Sequence, residues 1–135
     1  MKKNTLENIR KILDESEFIK MLGIEISELD DDHARGRMPF KSLYLNPYGS
    51  MHGGCLYSLA DTVAGTLANS TGGNVMTVEG NLSFLEAAWN TQYVYCLARL
   101  RRCGSHLINV DVDITDDNGK LLDCGNFTFF RIEEK

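Results

Sequence analysis

The sequence predicts an α+β fold in which a curved antiparallel sheet of about six strands wraps around one central helix. Three observations carry that expectation. Apolar residues recur at Leu56, Leu59, Ala60, Val63, Ala64, Leu67 and Ala68, the i, i+3, i+4, i+7 spacing of an amphipathic helix. Two strand-like stretches precede this helix and four follow it, joined by meander-like links. A central helix with an apolar side must have that side covered, and the sheet supplies the cover.

Taken in order, Leu6 to Met21 reads as a helix with Leu6, Ile9, Ile12, Leu13 and Phe18 on its apolar side, a cover for the rim of the sheet. Leu22 to Leu29 is a first strand, Asp30-Asp31-Asp32 a solvated turn, and Ala34, Gly36, Met38 and Phe40 alternate with His33, Arg35 and Arg37 in a second. Lys41 to Met51 is a loop that delivers Asn46 to the central helix, predicted over 52–69. Pro47 and Gly49 punctuate its approach, and Ser70-Thr71-Gly72-Gly73-Asn74 stops it. Val75 to Leu85 follows as a strand. Gln92 to Arg102 sets Val94, Cys96, Ala98 and Leu100 against Tyr93, Tyr95, Leu97, Arg99 and Arg101. His106 to Thr115 turns Ile108, Val110, Val112 and Ile114 inward, and Lys120 to Ile132 closes the chain after the hairpin turn Asp116-Asp117-Asn118-Gly119.

The composition narrows the function classes. With 135 residues the chain suits a single domain, 1–135, large enough for a core without covalent staples. The net charge of −5 argues against a general nucleic-acid binder. Cys55, Cys96, Cys103 and Cys124 form no C-x-x-C pair and stand at no zinc-like spacing to histidine, so no metal site is expected. An EF-hand reading of the turn at Gly119 fails, because it would place Ile114 first and Gly125 last among the ligands. No membrane span and no signal-peptide apolar region is visible, and the expected location is cytoplasmic, without membrane partners.

The central helix carries a second stripe, Gly54, Ser58, Asp61, Gly65 and Ala68, small-sided and holding one carboxylate. Gly53 and Gly54 leave the helix's first N–H groups uncovered, where a carbonyl oxygen or developing oxyanion can sit. Asp61 lies roughly 11 Å further along the axis at about 1.5 Å per residue, too far to serve one reacting atom there. Two such helices packed antiparallel about a two-fold axis bring each Asp61 to the other chain's Gly53, so the spacing predicts a homodimer with shared sites. On spacing alone, an ordinary turn followed by a solvated acid stays open beside this reading.

Asn46, His52-Gly53-Gly54 and Leu59-Ala60-Asp61, followed by a small-residue helix tail and by Phe84-Leu85, resemble the signature of hotdog-fold thioesterases of the PaaI-like group, over a span from about Met21 to Ile132. The resemblance implies hydrolysis of an acyl-coenzyme A thioester to a free acid and coenzyme A, with coenzyme A as part of the substrate and no cofactor. It implies that the Gly53 N–H polarises the thioester carbonyl and that the Asn46 amide adds a second donor. Asp61 of the facing subunit is then a general base or a nucleophile. Thr77 matches the family's hydroxyl on the following strand, which orients water. His52 is a helix-start anchor or a direct participant. Gly54, Tyr48, Tyr57 and Phe84 are expected around the substrate. Arg102 and His106 are expected near the coenzyme A phosphates, since Ser105-His106 after Gly104 and Glu86-Ala87 after Phe84-Leu85 depart from the family's basic residues there. A dimer of dimers is the expected assembly.

The same fold also serves non-hydrolytic acyl-coenzyme A binding and acyl-thioester hydration, so these stand as alternatives. A serine-hydrolase route is disfavoured, for no G-x-S-x-G elbow exists.

Overall fold

The structure, a computed structural model, describes residues 5–132. The N-terminal segment expected as one helix over 1–21 is two helices, α1 (Leu6–Asp14) and α2 (Glu17–Leu22), and residues 1–4 lie outside the described residues. The break has a local cause. The Ser16 hydroxyl accepts from the Ile19 N–H and starts a new helix, while the Glu15 and Ser16 N–H groups close the old one on the Ile12 and Leu13 carbonyls respectively. Gly23, with φ +69°, ends α2 in a left-handed cap. The first strand therefore begins later than Leu22.

The strands are β1 (Glu25–Leu29), β2 (His33–Pro39), β3 (Asn74–Phe84), β4 (Tyr93–Cys103), β5 (Leu107–Thr115) and β6 (Leu121–Ile132). They form one antiparallel sheet in the order β1-β2-β4-β5-β6-β3. The strand that follows the central helix thus crosses to the far edge, beside β6, instead of pairing with its successor. The central helix α3 (Gly53–Ser70) lies in the concave face.

All seven apolar positions of the α3 stripe are buried. They meet Ala34, Met38, Val94, Cys96, Ala98, Ile108, Val110, Val112, Ile114, Phe127 and Phe129 from the sheet, the inward parity of each strand. Each fully buried Leu, Val, Ile or Phe contributes about 1.5–3 kcal/mol relative to exposure. Gly36 allows the helix this close: a Cβ there would come within 2.6 Å of Val63 Cγ2 and 3.0 Å of the Glu25 carbonyl. Ala68, counted on both helix stripes, belongs to the core.

The N-terminal helices do more than cover the sheet's rim. Ile9 is buried, and the Arg10 guanidinium donates to the Ile26 carbonyl, tying α1 to β1. Ile9, Ile12, Leu13 and Ile19 wall a pocket with Asp61 on its other side. All four cysteines are free, and no described helix is long and apolar enough to cross a membrane.

Candidate active site

α3 begins in a way that leaves one donor open. His52 is its N-cap, with Nδ1 accepting from the Gly54 N–H at 2.8 Å. The His52 carbonyl accepts from the Cys55 and Leu56 N–H groups. Gly53 is passed over, and its N–H has no acceptor among the described residues. Gly53 borders a cleft of about 330 Å³ with Asn46, Met51, Leu56, Phe84 and Asp123. The Phe84 ring stands so close that a Cβ at Gly53 would meet it at 3.1 Å. A free N–H at the positive end of an 18-residue helix is suited to a carbonyl oxygen that gains charge.

Asn46 is organised rather than loose. Its Oδ1 accepts from the Tyr48 and Ser50 N–H groups at 2.9 and 3.2 Å, and Nδ2 donates to Ser50 Oγ at 2.9 Å. A carboxamide nitrogen carries two hydrogens, so one remains for a ligand in the cleft. The loop thereby fixes the amide beside the helix start.

Asp61 lies in the second pocket, about 12 Å along the helix axis from Gly53 at ~1.5 Å per residue. Thr77 Oγ1, on β3, donates to its Oδ1 at 2.8 Å. Burial pushes the carboxyl's pKa above its ordinary value, and the Thr77 hydrogen bond works against that shift. The neighbours are the N-terminal helices, Gly65, Val75 and Phe129, a mostly apolar wall. The structure therefore brings Asn46, Gly53 and Phe84 together in one cleft, and Asp61 and Thr77 together in another.

The remaining expected residues are spread out. Gly54 spends its N–H on His52 and its carbonyl on the Ser58 hydroxyl. Tyr57 packs its ring on Phe127 with centroids 5.2 Å apart. Tyr48, 87 % exposed, stands on the loop outside the Gly53 cleft. Arg102 and His106 flank the β4–β5 turn, where the His106 ring stacks on Phe130. That turn lies beside the C-terminal end of α3, because Arg131 bridges the two: its guanidinium donates to the Gly72, Gly104 and Ser105 carbonyls and to Thr71 Oγ1. Arg99 and Arg101 face Asp113 and Asp111 across the strands at 2.9 and 3.8 Å, so Arg102 is the member of that basic run without an ion pair among the described residues. The acidic turn after β1 surrounds His33 with Asp32, Glu28 and Asp30, all exposed carboxylates paired to the imidazole.

Two residues escaped the sequence reading. Arg131 is buried with no carboxylate partner among the described residues, satisfied by carbonyls that no sequence pattern reveals. Asp123 is wholly buried, and neither carboxyl oxygen has a hydrogen-bond partner among the described residues. Its signal was present: it shares the strand parity of Phe127 and Phe129, which places an acid on the core face.

A family model described as the thioesterase superfamily matches residues 48–122. The acyl-coenzyme A thioesterase PaaI of Escherichia coli is 28 % identical over 116 residues, covering 86 % of this chain and 83 % of its own. The solved structure of the E. coli PaaI protein superposes with a TM-score of 0.89 at 26 % identity, covering 96 % of this chain and 94 % of that one. A hypothetical thioesterase protein of Streptococcus pneumoniae, solved with coenzyme A, gives a TM-score of 0.77 at 27 % identity over 83 % of this chain and 88 % of that one.

Proposed function

The chain belongs to the thioesterase superfamily, and from that premise we propose that it hydrolyses acyl thioesters of coenzyme A at a site shared between two copies of the chain. The observation that carries this reading is the unspent Gly53 N–H in a cleft with Asn46, set against a half-buried carboxylate about two helical turns away.

The thioester carbonyl oxygen sits against the Gly53 N–H, with the spare Asn46 amide hydrogen as second donor. As a tetrahedral centre forms, charge gathers on that oxygen, and the two donors bind it more tightly than they bind the ground state. Asp61 of the facing copy supplies the other half. It takes a proton from an attacking water, or its own oxygen attacks and the resulting anhydride is hydrolysed. Either route adds one water across the C–S bond and releases the acid and the coenzyme A thiol. Thr77 orients the carboxylate and keeps it ionised in an apolar wall. Single turnover in ¹⁸O-water reports on the routes: label in Asp61 requires direct attack with water adding at the aspartyl carbonyl, whereas water activation leaves label only in the product acid.

The sheet supports pairing. β3 is an eleven-residue edge strand with its outer hydrogen-bonding side unused, and it exposes Met76 and Val78. An exposed apolar edge invites pairing. Antiparallel joining of two β3 strands about a two-fold axis sets the α3 helices antiparallel, as the Gly53–Asp61 spacing requires. The nucleotide end of the coenzyme meets Arg102 and His106 at the β4–β5 turn.

Hydration of an acyl chain is less well served. His52 Nδ1 is spent on the helix start, and no His–carboxylate pair borders the Gly53 cleft. Thiol release from a panel of acyl-coenzyme A esters tests the proposal. Turnover by the wild type that falls by about 10²–10⁴ in Asp61→Asn supports it. Binding of the esters without release of thiol by the wild type refutes it.

A further inference from the structure

The cleft beside Gly53 contains a group that thioester hydrolysis does not call for. Asp123 stands on β6 directly opposite Phe84 of β3, on the inward face of the sheet. Side chains paired in this way have Cβ atoms about 5 Å apart. The Phe84 ring in turn stands against Gly53, where an added Cβ would meet it at 3.1 Å. The Asp123 carboxyl therefore lies close under the start of α3, at the floor of the cleft it shares with Gly53, Asn46 and Leu56. It has no solvent-exposed surface, and neither oxygen has a hydrogen-bond partner among the described residues. Buried polar atoms are nearly always paired, so a carboxyl with both oxygens unspent calls for a task. The other bases near the cleft are engaged. His52 Nδ1 accepts from the Gly54 N–H, Glu86 pairs with Lys120 at 3.2 Å, and Asp61 borders the other pocket. Among the described residues at the cleft, Asp123 is the base left unspent.

We propose that the Gly53 cleft carries a second activity, enolisation of the bound acyl thioester, in which Asp123 takes a proton from the carbon next to the thioester carbonyl and returns one to it. The inference rests on the reading above for its ligand, an acyl thioester seated with its carbonyl oxygen on Gly53. The step balances without a co-reactant. The C–H bond breaks, its proton goes to a carboxylate oxygen of Asp123, and its electron pair becomes the carbon–carbon double bond of the enolate. The carbonyl π pair moves onto oxygen, where the Gly53 N–H and the spare Asn46 hydrogen hold the charge. Donors at a helix N-terminus that stabilise a tetrahedral oxyanion stabilise an enolate oxygen in the same way. Reversal returns a proton to carbon, after the one on Asp123 has exchanged with water through the cleft. Phe84 and Leu85 over the carboxyl are more than half exposed, and exposed side chains change rotamer readily, which opens the way to the floor. Met51, Leu56 and Phe84 make the surroundings largely apolar. Burial there raises the Asp123 pKa to about 7, so near neutral pH the carboxylate is populated and more basic than an ordinary aspartate. Hydrolysis and enolisation then share the oxygen site and differ in the acid: Asp61 of the facing copy serves the first, Asp123 of the same copy the second.

The test follows deuterium. Butanoyl-coenzyme A is incubated in heavy water with the Asp61→Asn protein, which suppresses hydrolysis and removes the facing carboxylate as a competing base. Mass spectrometry of the recovered ester reads the exchange, and NMR reads its position. Exchange at the carbon next to the carbonyl should exceed that in the doubly substituted Asp61→Asn/Asp123→Asn protein by about 100-fold or more. A base fixed on one side of the bound ester reaches one of the two hydrogens there, so the gain should stop at a single deuterium. Asn46→Ala on the Asp61→Asn background should slow the exchange as well, because the enolate oxygen loses a donor. A cooperative thermal melt separates loss of the base from loss of the fold, and Asp123→Leu, an apolar replacement on the core face, should lose the exchange equally. No exchange in the Asp61→Asn protein, exchange that survives both substitutions of Asp123, or equal exchange of both hydrogens overturns the proposal. Exchange without thiol release by the wild type leaves enolisation standing and removes the thioesterase reading. Thiol release by the wild type without exchange in Asp61→Asn does the reverse.

Discussion

On the proposed mechanism, Asp61 and Thr77 set the working pH between them. Burial raises the Asp61 pKa above its ordinary 3.8, and the 2.8 Å hydrogen bond from Thr77 pulls it back. The carboxyl acts only when ionised, so kcat/KM should fall in acid with a midpoint above 3.8. Thr77→Val removes the opposing hydrogen bond, and the acid limb of the pH–rate profile should move to higher pH. Asp123 gives the opposite kind of signature, in stability. Its folded-state pKa is raised to about 7 from an ordinary 3.8. Between those values the folded chain keeps a proton that the unfolded chain has lost, so stability falls as pH rises through that window. Thermal melts of the wild type should show this loss between about pH 4 and pH 7, and Asp123→Leu should flatten it while raising Tm at neutral pH. His52 is the third residue with a defined task. As N-cap, its loss in His52→Ala should cost about 1 kcal/mol in a denaturant titration, while the Gly54 N–H is left to compete with Gly53 for the carbonyl. These roles were unequally legible. Asp61 and Gly53 stand at a spacing that reads directly from the chain, whereas the choice of Gly54 rather than Gly53 as the capped N–H depends on a rotamer of His52 that no sequence specifies.

Among the elements, α3 was the most legible, because its apolar period and its glycine and turn boundaries agree, and the observed Gly53–Ser70 differs from the expectation by one residue at each end. Strands β4 and β5 were legible for the same reason, with the period of two matching the buried face. The N-terminal helices were not, since Ser16 interrupts an apolar pattern that would otherwise run on. Sheet order was also out of reach: a strand pattern does not name the strand's partner, and nothing in it sends β3 to the far edge beside β6. The element most dependent on a single side chain is the end of α3. Arg131 joins Thr71 and Gly72 to the Gly104 and Ser105 carbonyls, with a cation at the negative end of the helix. Arg131→Met keeps the aliphatic stem but orphans several of these acceptors, at about 1–3 kcal/mol for each one left buried and unpaired. The expected outcome is a loss of about 3 kcal/mol or more in chemical denaturation, with faster amide exchange at the β4–β5 turn.

At the scale of the whole molecule, the proposed function gives one chain two half-sites. The Gly53 cleft has the donors for an oxyanion and no Asp61, and the Asp61 pocket has the carboxylate and no Gly53. Only the residue types and their separation along one helix were needed to expect this, since a rigid helix converts sequence spacing into distance. The most direct measurement is complementation between two inactive variants. Asp61→Asn lacks the carboxylate, and Gly53→Trp fills the cleft against Phe84. Each alone should release almost no thiol from an acyl-coenzyme A ester. Unfolded and refolded together at equal concentration, half of the dimers are mixed and each carries one intact site, so about a quarter of the wild-type rate should return. A mixture as inactive as its parents would contradict the shared site, and full activity in Asp61→Asn alone would contradict the chemistry itself.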